Sequence, residues 1–239
     1  TQVRTTAEIQ YSSFLSLYIF AAAIEFVMIL LIVPALTSGS ISGERERQTL
    51  NLLLTTRMTP ADIVIGKLMA GMSTMILLIV SSFPVLALVF IYGGVVVKDI
   101  MLLMISFLSA AVLSGSVGIC CSSTFKKSTI ATVVSYCVMA GLVLGTAIAA
   151  RFASSVGPGF LVWLLLLNPA VPFSAAMGEQ IGNIRQISVL QAWTGGSMQR
   201  LSAGKWLWMG VAVQLLLAGA CLWMAVNQVN PRRRRRWKY

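Results

Sequence analysis

Apolar residues run through this chain in long stretches, without the alternation of a half-buried strand. Five stretches reach the roughly 20 residues that a helix needs to cross a bilayer: 11–36, 68–92, 100–121, 130–150 and 206–229. A sixth, Phe160 to Leu167, is much shorter. As a helix it rises about 12 Å, against a hydrocarbon core of about 30 Å. Asn168-Pro169 and then Pro172 close it. It reads as half of a broken or re-entrant helical pair within an outer segment, 157–204, a backbone tolerated where protein or a wet cavity surrounds it. The pattern predicts an all-α polytopic membrane protein with one transmembrane domain over 1–239.

Composition narrows the chemistry. Charged residues make up 10% of the chain and hydrophobic ones 57%, with a mean hydropathy of +0.85. A soluble domain carries roughly 25% charged residues, so an ordinary water-soluble fold is excluded. Histidine is absent, which removes the imidazole base of a catalytic triad and the commonest metal ligand. Cys120, Cys121, Cys137 and Cys221 lie within predicted spans without metal-ligand spacing and read as small packing residues. No catalytic or metal site is expected. A phosphate-binding loop needs G-x-x-x-x-G-K-[ST]. The nearest approach, Gly66-Lys67-Leu68, lacks the first glycine (Ala61) and the closing hydroxyl.

Glu25 is the one clear charge inside a predicted span, fourteen residues into 11–36. A carboxylate at that depth is costly, and it is read by default as a substrate or proton site. A neutral glutamate bonded to a neighbouring serine or threonine is the structural alternative. Gly141 and Gly145, Ala111 and Gly115, and Ser114 and Gly118 share the small-xxx-small spacing. The spacing predicts close helix packing within the chain.

Loop charges set the orientation. Arg45, Arg47, Arg57, Lys67, Lys126, Lys127 and six tail residues fall on one side, twelve of the eighteen basic residues. That side is expected to be cytoplasmic, with the tail, 230–239, inside. Tyr11, Tyr92, Trp206 and Trp208 fall at the outer ends of spans, where amphipathic rings anchor the interface. Arg232, Arg233, Arg234, Arg235 and Arg236 directly follow a span. They read as a lipid-headgroup cluster that fixes topology, and no nucleic acid is expected as a partner. Five spans with an inside tail put Thr1 outside, and no signal peptide opens the chain. One further span upstream of Thr1 is expected.

The most informative stretch is the expected cytoplasmic elbow, 38–67. Glu44-Arg45-Glu46-Arg47 is the densest mixed charge in the chain. Ile41, Leu50, Leu53 and Leu54 give a stripe near helical spacing, predicting an amphipathic helix beside the membrane. Thr59-Pro60-Ala61-Asp62 then supplies an N-cap, a first-turn proline and an acid at the third position, so a second helix starts there.

The run ISGERERQTLNLLLTTRMTPADIVIGKL resembles the cytoplasmic elbow of ABC-2-type permeases, the membrane subunits of bacterial ABC transporters. Ser82-Phe83-Pro84, Tyr92-Gly93-Gly94-Val95 and Leu167-Asn168-Pro169 fit the same resemblance. It implies a multi-pass plasma-membrane permease, usually of six spans with both termini cytoplasmic. It implies a second permease subunit and cytoplasmic ATPase subunits as partners, with Mg-ATP held by the ATPase and no cofactor on this chain. Transport would be outward. Ile41, Ser42, Gly43, Glu44, Arg45, Glu46, Arg47, Thr49 and Leu50 would form the ATPase-coupling surface, the four charges making its polar contact and the leucines packing it on the spans. From the residues alone, two other readings stay open: a proton-coupled secondary carrier using Glu25, and a non-transporting membrane scaffold with the elbow as its docking site.

Overall fold

The computed structural model describes residues 2–49, 59–93, 96–149, 159–180 and 203–229, and the side chains of 17–49, 59–82, 96–149, 163–178 and 204–229. Among these residues the fold is all helical. The helices are α1 (Gln2–Ser38), α2 (Ser42–Glu46), α3 (Pro60–Gly93), α4 (Val97–Thr124), α5 (Ser128–Ala140), α6 (Ala170–Gln180) and α7 (Ala203–Val229). A π-helical turn, Gly141–Gly145, extends α5, and a 3₁₀ helix, Gly159–Leu167, precedes α6. Among the described residues, five helices are long and apolar enough to cross a membrane.

α4 is the centre of the bundle. In its most apolar stretch 72% of residues are buried, against 22–33% in the other four long helices. It packs against α1, α3, α5, α6 and α7. The sequence of α4 explains this position. Small residues, among them Ser106, Ser109, Ala110, Ala111, Ser114 and Gly115, let neighbours approach from several sides. Each of these serines returns its hydroxyl to a carbonyl of its own helix, Ser106 to Leu103 O at 2.7 Å and Ser109 to Ser106 O at 2.9 Å. Its polarity is therefore satisfied in an apolar setting.

α1 presents Tyr18, Ala22, Phe26, Ile29 and Val33 to the core, a stripe at helical spacing that meets Met75 and Ile79 of α3 and Leu103 and Phe107 of α4. Pro34 lies inside α1 without ending it. The Tyr136 hydroxyl of α5 donates to Leu31 O, just ahead of the proline, at 2.7 Å. α3 begins as the sequence predicts. Thr59 N donates to Asp62 Oδ2 at 3.0 Å, and Asp62 N donates to Thr59 Oγ1 at 3.2 Å. These reciprocal bonds satisfy donors that a helix start leaves unpaired.

The short run after 157 is one half of a broken pair. The 3₁₀ helix stops at Asn168, and α6 follows within three residues. Asn168 is fully buried. Its Oδ1 accepts from Ala170 N at 2.9 Å, and its Nδ2 donates to Val143 O at 3.0 Å. One side chain thus caps α6 and takes a carbonyl of the π turn. α6 then packs Phe173 on Phe26, with ring centroids 4.5 Å apart, and seats Pro172 against Gly210 of α7.

Two packing expectations change. A Cβ added to Gly141 or Gly145 would meet no atom within 4 Å, and both glycines are exposed. Their shared face, where the turn widens to π geometry, meets none of the described residues. Trp206 is 3% exposed and stacks on Trp163 at 5.8 Å. It is a core residue and not an interfacial anchor, whereas Trp208 is exposed. Among the cysteines, Cys121 is buried in an apolar cluster and Cys137 is exposed.

Candidate functional site

The elbow begins where α1 is pressed into the bundle. Glycines are the reason it fits. A Cβ on Gly118 of α4 would lie 2.0 Å from Thr37 Oγ1 and 3.3 Å from the Ser38 amide nitrogen. A Cβ on Gly71 of α3 would lie 2.8 Å from Thr37 Cγ2. The end of α1 therefore sits between two helices that have no side chain at the contact. Beyond it, the amides of Ile41 and Ser42 both donate to Ser122 Oγ of α4, each at 2.9 Å. Ile41 is fully buried among Val64, Leu68, Ile119 and Val229, so it joins the elbow to α3, α4 and α7 together.

The charged residues of α2 are also engaged within the chain. Glu44 pairs with Lys67 of α3. Arg45 donates from Nη2 to Ser123 O at 2.9 Å and from Nη1 to Phe125 O at 3.3 Å. These carbonyls belong to the end of α4, which exposes acceptors and the negative pole of its dipole. Glu46 accepts from Ser128 N at 3.0 Å and from Ser128 Oγ at 2.8 Å. Those donors open α5, where an acid is favoured. Two adjacent residues of opposite charge thus close the end of one helix and the start of the next. Gln228 of α7 adds a further tie, accepting from Thr124 Oγ1 at 2.7 Å.

Of the expected amphipathic stripe, only Ile41 falls within the described residues. α2 has five residues. Gln48 then takes a left-handed conformation, φ 59°, which ends the helix. Thr49 N returns to Glu44 O at 3.0 Å. Ser42 is buried, Gly43 is partly covered, and Arg47 and Thr49 are exposed. Leu50, Leu53, Leu54 and Arg57 lie outside the described residues, as do Arg232 to Arg236 and most of the outer loop.

Glu25 is set differently. It lies on the inward side of α1 and is 7% exposed. Ser82 Oγ of α3 donates to its Oε1 at 2.6 Å. Among the described residues its second oxygen has no hydrogen-bond partner, and no lysine or arginine pairs with it. Both groups line a groove of about 400 Å³ between α1 and α3, walled by Phe20, Ile24, Met28 and Leu78.

Sequence reasoning missed Lys67, Ser122 and Ser128 as elbow partners, and Gln228 and Asn168 as links between helices. Among the described residues no three His, Cys, Asp or Glu side chains cluster as a metal site.

The profile of a family described as ABC-2 family transporter protein matches residues 1–226. The chain belongs to the ABC-2 transporter family. The match spans the elbow, all five long helices and the broken pair, so this ABC-2 protein is a multi-pass transmembrane subunit of an ABC transporter. No individually curated protein matches it.

Proposed function

We propose that this ABC-2 protein is the permease of an ATP-driven exporter, moved through residues 38–67 by a separate ATPase that holds Mg-ATP. A second permease subunit completes the passage. The tail is cytoplasmic, as the loop charges require, and Arg232 to Arg236 rest on anionic headgroups of the plasma membrane. The sequence of this chain contains no phosphate-binding loop of its own.

The observation that carries this reading is the mounting of α2. Glu44, Arg45 and Glu46 bond to α3, to the end of α4 and to the start of α5. A push on such an elbow reaches three spans together, where a floppy linker would absorb it. Glu44 to Glu46 hold the lever to the bundle, and the exposed Arg47 and Thr49 meet the ATPase. The test replaces Glu44 and Glu46 by glutamine together, in the complex with its ATPase. Membrane content stays at the parent level while transport-stimulated ATP hydrolysis falls several-fold. Unchanged assembly together with unchanged stimulated hydrolysis would remove the coupling role.

A further inference from the structure

We propose that the groove between α1 and α3 is a binding site for a cationic amphiphile, a protonated amine on a compact apolar body, with Glu25 as its counter-charge. The groove's volume of about 400 Å³ falls within the range of small-molecule pockets, roughly 300–1,000 Å³. Its walls match the ligand in two parts. Phe20, Ile24, Met28 and Leu78 offer apolar surface. Glu25 lines the groove with its carboxylate, one oxygen of which accepts from Ser82 while the other has no hydrogen-bond partner among the described residues. Ser81 also lines the groove, and its hydroxyl donates to Leu78 O, so its oxygen remains able to accept from an ammonium.

The way in follows from exposure. Phe20 is 64% exposed and Met28 45%, so the groove opens sideways between the two helices. Glu25 lies near the middle of its span, so that opening sits at the depth of the hydrocarbon layer. A ligand that partitions into the bilayer reaches it without crossing the protein. An inorganic cation is a poorer match, because a small hydrated ion finds one carboxylate and two hydroxyls there but no cage of oxygens. An amine needs only the counter-charge and one or two acceptors, and its apolar body covers the walls.

Binding stands apart from the elbow reading; naming the ligand as cargo rests on it. The experiment therefore reads binding alone, without ATP. The full-length protein is placed in phosphatidylcholine nanodiscs and titrated with radiolabelled adamantan-1-amine. Adamantan-1-ol, of the same shape and uncharged, is the competitor. The amine should bind saturably, the alcohol should compete at least tenfold less well, and Glu25→Gln should weaken the amine at least tenfold. Ser81→Leu keeps the carboxylate and fills the groove, so it should also block binding and guards against a misfolded Glu25 variant. Three results overturn the proposal: equal competition by the alcohol, wild-type affinity in a folded Glu25→Gln protein, or no saturable amine binding. The last is the result expected of a carboxyl that only carries a proton. None of these outcomes alters the elbow test, which reads hydrolysis by the partner.

Discussion

Glu44 and Glu25 are the same side chain in two settings, and the molecule uses them in opposite ways. Glu44 ends on Lys67 at the elbow, where neighbouring residues cap helices and fill glycine notches. Glu25 meets one serine hydroxyl in an apolar groove. A charge in a low-dielectric setting costs least when paired, and about 3 kcal/mol or more when left alone at the middle of a membrane helix. The elbow glutamate is therefore part of the structure. The groove glutamate has only the Ser82 hydroxyl as a partner among the described residues.

The largest expected effect comes from closing the notch that admits α1. Gly118→Val places a side chain onto Thr37 and the Ser38 backbone, and should lower stability by about 3 kcal/mol. Gly141→Val, on the open face of α5, should change it by no more than about 0.5 kcal/mol. Thermal unfolding of the detergent-solubilised variants compares the two, and equal losses would mean that the elbow end yields as easily as an outer surface.

A smaller effect belongs to the ion pair. Lys67 and Glu44 side chains are 31% and 20% exposed, so solvent screens part of their attraction. Lys67→Ala should cost about 1 kcal/mol. In a double-mutant cycle with Glu44→Ala the two losses should fall short of additivity by a similar amount. Strict additivity would show that the pair is not a joint.

The smallest effect separates the two glutamates. Glu25→Gln keeps an acceptor for Ser82 and removes a carboxyl that no lysine or arginine pairs with among the described residues. Stability should stay level or rise, by no more than about 1 kcal/mol. Measured in the same unfolding assay, a clear loss would give Glu25 a structural partner and dissolve the contrast with Glu44.

Much of this architecture was legible in the chain. The long apolar runs mark the five helices because a bilayer demands length above all, and Thr59 to Asp62 announces the start of α3 because capping is local in sequence. The elbow's bonds were not legible. Glu46 meets Ser128, and Arg45 meets Ser123, across some eighty positions, and no spacing rule reaches that far. The glycine pairs show a different limit. Spacing says that Gly141 and Gly145 share a face, but not whether that face looks inward. Ser114 and Gly118 have the same spacing and do look inward. Trp206 belongs with these cases, since its place at a span end says nothing of Trp163 beside it.

The glycine notch has a mechanical consequence. It holds α1 and α4 together at one end, so relative tilting of those rods must pivot there. α4 has 28 residues and is therefore about 42 Å long. Val97 lies 21 residues from Gly118, about 32 Å along the axis, so a swing of about 10° at the pivot would carry that far end through roughly 5.5 Å. Little movement is needed near the elbow, and most of the travel appears at the opposite end, where the broken pair is held by Asn168 to the widened turn of α5.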